Sequence, residues 1–267
     1  MRIWIPVFLV SAAVCYAQQT APPIYQRYAP VDLTGNWVSV VTEDWAIRML
    51  TPPKGDFAGL PLNAAGQKIG KEWDPAREAA GEACKSYAAP ALLRIPGRVK
   101  VAWQDGGNTL RMDADAGQQT RLLHFANTTP ANGEAGWQGY SAAAWEYANA
   151  FDPALAAVAP ADAGAGGPPG GGRRGRPPMT RPDGGDLKVV TTYLKAGYLR
   201  KNGVPFSKDA VLTEYFNVHS DPYGTEWMVV TGIVHDPTYL AADYITSTNF
   251  KREPDSSKWT PRACAVQ

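Results

Sequence analysis

Residues 98–113 read Arg98-Val99-Lys100-Val101-Ala102-Trp103-Gln104-Asp105-Gly106-Gly107-Asn108-Thr109-Leu110-Arg111-Met112-Asp113, and this stretch decides the fold class. Val99, Val101 and Trp103 alternate with Lys100, Ala102 and Gln104, the period of two that sends successive side chains to opposite faces of a strand. Asp105-Gly106 then separates two strand-like runs and supplies the positive φ that a tight turn needs, so the stretch reads as a β-hairpin.

The rhythm continues on both sides. Upstream lie residues 92–95, closed by the turn formers Pro96-Gly97, and a first strand over 33–42 with the turn formers Thr34-Gly35 at its start. Downstream, residues 120–125 follow a turn at 115–118, and further strands are read at 137–147, 187–193, 197–201, 210–218, 227–234 and 244–250. About ten strands at hairpin spacing predict a mostly β domain, an antiparallel barrel or a sandwich. A short helical insertion is expected over residues 63–85. Asn63 can cap it, Leu62, Ile69 and Trp73 lie roughly on one face, and Pro75 breaks or restarts it before the stretch that carries Cys84. Thr51-Pro52-Pro53-Lys54-Gly55 is a loop by its Pro and Gly content.

Residues 152–185 are dominated by Ala, Gly and Pro, with Arg173, Arg174, Arg176 and Arg181 in the second half. Such a segment buries too little apolar surface to offset the entropy of ordering and is expected to be a disordered loop. Each flank alone has too few strands to close a sheet, so the loop is read as an insertion in a single domain, residues 33–267, behind an extended lead at 18–32. Its Arg-Gly-Arg stretch would suggest RNA in a cytosolic protein. The N-terminus argues for export, which leaves a solvated basic loop and no nucleic-acid partner.

Arg2, the apolar run over residues 3–14 and the small Ala17 have the layout of a secretory signal peptide, residues 1–17, cleaved after Ala17. Acylation of Cys15 is the alternative, but Val14 stands where a small residue is expected before a lipidated cysteine. No other stretch reaches the ~18 apolar residues of a membrane span. A periplasmic or secreted domain is therefore expected. Loss of Arg2 leaves basic and acidic residues equal in number, and a neutral chain has no general electrostatic attraction to nucleic acid or to an anionic membrane. Cleavage also removes Cys15. The remaining Cys84 and Cys264 are expected to form a disulfide in an oxidising compartment, the alternative being two thiols too far apart to pair.

Alternation also nominates a site. Trp137, Gly139, Ser141, Ala143, Trp145 and Tyr147 share one face, with small residues between aromatic ends, which suits either a ligand pocket or close packing. Leu212, Glu214 and Phe216 share another face with Ala210. The candidate ligand-binding set is thus Trp103, Trp145, Tyr147, Leu212, Glu214 and Phe216. A carboxylate in an apolar interior needs a partner or it protonates, which makes Glu214 a candidate acid-base residue. Its structural alternative is a buried ion pair with an arginine such as Arg111 or Arg121, or a position on the solvent face. The three histidines, His124, His219 and His235, lack metal-ligand spacing, so neither a metal nor another cofactor is expected. Gly-x-Ser-x-Gly, Cys-x-x-Cys, His-Glu-x-x-His and phosphate-loop patterns are all missing.

Leu33-Thr34-Gly35-Asn36-Trp37 resembles the Gly-x-Trp opening of lipocalins and related calycin barrels. That resemblance implies a calycin-like barrel in which Trp37 packs at the closed end beneath a basic residue from the last strand, Lys251 or Arg252, around a small apolar ligand. A second likeness spans nearly the whole mature chain. Leu33-Thr34-Gly35-x-Trp37, Trp73-Asp74-Pro75, Cys84, Trp137-Gln138-Gly139-Tyr140-Ser141, the run Asp186-Leu187-Lys188-Val189-Val190-Thr191-Thr192, Thr213-Glu214 and Asp236-Pro237-x-Tyr239 resemble a large uncharacterised family of exported β-rich proteins from soil bacteria. Members of that family carry a Glu-Arg pair where this chain has Glu214-Tyr215. The likeness implies export, a role for Cys84 and a β-barrel, and carries no activity.

The leading expectation is an exported β-barrel that binds a small apolar or aromatic molecule. The rivals are an isomerase or hydrolase using Glu214 in the barrel interior, and an envelope interaction module whose long loop makes the contact. A buried carboxylate without a cationic partner would favour the enzyme.

Overall fold

The computed structural model describes residues 24–266 except 80, 127–128, 131–132, 134 and 149–183. The expected signal peptide and nearly all of the 152–185 loop lie outside the described residues.

Nine strands close into a barrel. In chain order the strands among the described residues are β1 (Gly35–Val40), β2 (Arg98–Gln104), β3 (Thr109–Ala114), β4 (Ala116–Gly117), β5 (Gln119–His124), β6 (Tyr140–Tyr147), β7 (Gly185–Thr192), β8 (Gly197–Arg200), β9 (Val204–Phe206), β10 (Val211–Ser220), β11 (Glu226–His235), β12 (Tyr244–Glu253) and β13 (Arg262–Ala263). Around the barrel they run β1-β12-β11-β10-β7-β6-β5-β3-β2, with β2 returning to β1. The hairpin at 98–113 forms as read: β2 and β3 pair from Val99–Ala114 to Gln104–Thr109, and Asp105, Gly106 and Gly107 all take positive φ in the turn.

The expectation of a wholly antiparallel sheet needs one correction. β5 and β6 run parallel, through Leu123–Ser141 and His124–Ala142. Just before β6, Gln138 donates to Gln119 Oε1 at 2.9 Å, at the end where β5 begins, and a strand entered from that end can only pair parallel.

Among the described residues four α-helices lie outside the strands: α1 (Ile24–Arg27), α2 (Trp45–Met49), α3 (Ala64–Glu72) and α4 (Ala89–Leu92). α3 begins where expected, with Asn63 Oδ1 accepting from Gly66 N at 3.0 Å. Its buried face differs from the one read in sequence. Ile69 is exposed, and Gly66 and Gly70 are the buried positions. A Cβ at Gly66 would meet Tyr239 O at 2.5 Å, and one at Gly70 would meet the Phe57 ring at 2.7 Å. Backbone approach, not a side-chain stripe, therefore seats the helix. Residues 92–95, expected as a strand, instead end α4 and turn. Pro90 sits in the first turn of that helix, and a short apolar run buried on all sides carries no period to separate strand from helix. α2 was not expected, and α1 falls within the lead that was read as extended.

Inside the barrel, Trp37, Leu110, Met112, Leu123, Leu187, Phe216, Met228 and Phe250 are fully buried and make one apolar cluster. A second cluster, with Leu62, Leu194, Phe206, Leu212, Val234 and Tyr244, lies under α3, α4 and the β8–β9 hairpin at one end. Cys84 and Cys264 are disulfide-bonded, and the tail strand β13 pairs with β4. Among the described residues no helix is long and apolar enough to cross a membrane.

Candidate functional site

Trp37 lies in β1. It is fully buried, donates from Nε1 to Leu33 O at 2.9 Å, and lies 4.2 Å beneath the guanidinium of Arg252. Arg252 donates in turn to Thr34 O and, at 2.8 Å, to Asp32 O, and it contacts Glu226 at 2.6 Å. This arrangement clamps the start of β1 against the end of β12 and leaves neither residue free for a ligand.

Trp103 and Trp145 meet at the end of the barrel reached by β2 and β6, ring centroids 6.4 Å apart, and both pack on Phe125 at 5.4 and 5.2 Å. Tyr25 of α1 stacks on Phe125 at 5.4 Å, and Trp145 Nε1 donates to Tyr25 O at 2.9 Å. The aromatic end is thus covered by the N-terminal lead. Tyr147 closes β6 opposite Gly185, and burial pushes its hydroxyl up to about 12.

Leu212, Glu214 and Phe216 all point inward. Glu214 has a cationic partner. Arg121, whose side chain is wholly buried, donates from Nη1 to Oε1 at 3.0 Å and from Nη2 to Oε2 at 2.5 Å. Arg121 Nη2 also reaches Thr191 Oγ1 at 3.2 Å and Ser141 Oγ at 3.4 Å, and those two hydroxyls are 2.8 Å apart. The small residue Ser141, read as leaving room for a ligand, leaves room for this guanidinium. With both carboxylate oxygens held by arginine, Glu214 is ill placed to accept a proton from a substrate. Among the described residues no group of three or more His, Cys, Asp or Glu is placed to hold a metal ion.

A cleft lies at the opposite end of the barrel, outside the bore. It has a volume of about 520 Å³ and is walled by α2 and the residues after it, the turn after α4, the end of β8, Tyr244 and the tail at Arg262. Five cationic residues line it, Arg48, Arg94, Arg200, Lys201 and Arg262, alongside apolar Ile47, Leu50, Ile95 and Leu199, and none of its described lining residues is acidic. A neighbouring hollow of about 290 Å³ shares Ile95, Pro96, Lys201 and Arg262 with it.

The cations are fixed in different ways. Arg48 is 2 % exposed at its side chain, pairs with Glu43, and donates from Nε to Arg94 O at 3.0 Å. Its buried Nη2 has no hydrogen-bond partner among the described residues, a condition that costs ~1–3 kcal/mol unless an acceptor arrives. Burial, with the Arg94 guanidinium beside it, holds Arg48 below the usual arginine range. Arg94 is held by Asp44 at 2.5 Å and Ser247 O at 2.8 Å. Arg200 donates to Ala58 O at 2.8 Å, and the fully buried Asn202 bonds Pro53 O and Asp56 O, which pins the 53–58 loop beside the cleft. Lys201 lies over the Tyr87 ring at 5.1 Å. Arg262 is placed by its own N–H, which donates to Asp115 O at 2.8 Å, and by the disulfide two residues on. Arg200, Lys201 and Arg262 have no carboxylate partner among the described residues.

None of these five residues was nominated from sequence. They come from four separate segments, and an overall neutral composition conceals their convergence. No family model, curated protein or solved structure matches the chain.

Proposed function

We propose that this chain is an exported, non-enzymatic binding protein for a small molecule with an apolar body and an anionic group, held in the cleft at the α2 end of the barrel. The carrying observation is the cleft's charge: five cationic residues, no acidic one among the described lining, and three cations without a carboxylate partner. Apolar wall residues would receive the body of the ligand, and its volume is in the range of small-molecule sites, ~300–1,000 Å³. The disulfide fits an oxidising compartment. The expectation of a purely apolar ligand in the bore gives way to an amphipathic one, because the bore is occupied by its own side chains and by the Arg121–Glu214 pair.

Calorimetric titration at low ionic strength tests this. Decyl phosphate below its micelle concentration should bind, while decanol and decyltrimethylammonium should not. Lys201→Glu and Arg262→Glu should each weaken decyl phosphate by about tenfold or more, since each replaces attraction by repulsion in a partly desolvated site. Equal affinity for the neutral and anionic compounds, or unchanged affinity in both variants, would overturn the reading.

A further inference from the structure

The outer lip of the cleft, residues 45–50, has a composition that the cleft itself does not explain. Trp45, Met49 and Leu50 are 67 %, 59 % and 68 % exposed. Trp45 and Met49 stand four apart, on one face of α2, while Arg48 turns inward. Three large apolar side chains are thereby turned to water within six residues. The other exposed large hydrophobics among the described residues, such as Ile69, Leu122 and Tyr223, stand singly along the chain, and single exposures are ordinary.

Charge beside the lip says what would cover it. The two acidic residues that precede α2, Glu43 and Asp44, are already engaged by Arg48 and Arg94. The cleft behind the lip carries Arg200, Lys201 and Arg262, and the loop that follows carries exposed Lys54 and exposed Asp56, whose carboxylate accepts from Ala58 N at 3.0 Å. An apolar knob with an exposed tryptophan, backed by unpaired cations, is complementary to the boundary of an anionic bilayer. Tryptophan settles at headgroup level, short apolar side chains enter the acyl boundary, and cations meet phosphates. A neutral overall charge does not oppose this, because the acidic residues next to the lip are tied up in ion pairs.

We infer that the 45–50 lip docks on an anionic lipid surface, and that the cleft behind it receives the phosphate-bearing headgroup of a lipid drawn from that surface. This rests on the proposed reading of the cleft and names the source of its ligand. No chemical step is involved, only transfer of an amphiphile between two apolar environments with its phosphate kept among cations.

Sedimentation of the mature chain with vesicles tests it, using phosphatidylglycerol–phosphatidylcholine mixtures against phosphatidylcholine alone. Binding is expected only with phosphatidylglycerol, and should fall as salt is raised. Trp45→Ser, at a position that does not line the cleft, should weaken vesicle binding by about tenfold or more while leaving decyl phosphate affinity unchanged, which also shows that the variant is folded. Binding to phosphatidylcholine as strong as to the mixture would overturn the inference, as would undiminished vesicle binding by Trp45→Ser. Decyl phosphate binding without vesicle binding would overturn the docking and leave the proposed function standing. Loss of both in the parent protein would overturn both.

Discussion

Replacing Glu214 by Gln removes one charge from a pair that has almost no access to water. Arg121 exposes none of its side chain and Glu214 4 %. Arginine does not deprotonate in proteins, so the substitution leaves a buried guanidinium facing an amide. One of the two donor–acceptor contacts, at 3.0 and 2.5 Å, survives through the amide oxygen. The other becomes an NH₂ group set against N–H. Removing one partner of a buried pair costs ~3–5 kcal/mol, because the remaining charge is uncompensated. The retained contact and the hydroxyls of Thr191 and Ser141 place this case near ~3 kcal/mol. At ~2–4 °C per kcal/mol for a domain of this size, the melting temperature should fall by about 6–12 °C. Arg121→Met/Glu214→Leu removes both charges at similar volume and should recover most of the loss, since Ser141 and Thr191 still bond each other. Scanning calorimetry, with urea unfolding followed by tryptophan fluorescence, measures both. A Glu214→Gln protein that melts within about 2 °C of the parent, or a double variant no more stable than the single one, would refute the reasoning. Decyl phosphate binding by folded Glu214→Gln should be unchanged, which separates a barrel that is scaffold from one that is a reaction chamber.

Two further predictions concern stability. Trp37→Ala, a deletion at a fully buried position, should cost ~3–5 kcal/mol, whereas Arg252→Met, which loses a ring contact and carbonyl bonds near the surface, should cost less; a reversed order in urea titrations would contradict the clamp. Burial holds His124, stacked on Tyr140 at 4.6 Å, below its usual 6.5, so its neutral form favours the fold. That contribution is present above pH 6.5 and is lost as pH falls through the lower folded value. His124→Gln should therefore flatten stability against pH on the acid side, and parallel curves for parent and variant would exclude this histidine as the cause.

Much of the barrel was legible because strands announce themselves by a period of two. That period oriented Trp103, Trp145, Leu212, Glu214 and Phe216 inward, and the turn at Asp105-Gly106 fixed the first hairpin. It could also have chosen Glu214's partner. Leu110 and Met112 flank Arg111 and are buried, so Arg111 faces out, where it pairs with Asp113 at 2.8 Å. Arg121 shares parity with the buried Leu123 and faces in. Alternation applied to charged residues, and not only to apolar ones, therefore resolves the ambiguity between the two arginines. What remained illegible has a different physical origin. The run at 92–95 puts buried Leu92 and Leu93 side by side ahead of half-buried Arg94 and Ile95, and so has no period of two. The parallel β5–β6 pairing depends on where a long connection returns, which no local pattern encodes. The cationic cleft depends on four segments meeting, with Arg262 brought there by a bridge that closes 180 residues of chain. Net charge is a sum over the surface, whereas recognition depends on how charge is segregated. The salt bridges here absorb Glu43 and Asp44 on one side of α2 and leave Arg200, Lys201 and Arg262 uncompensated on the other. A neutral protein can therefore present a basic site wherever the fold pairs its acids and leaves its bases unpaired.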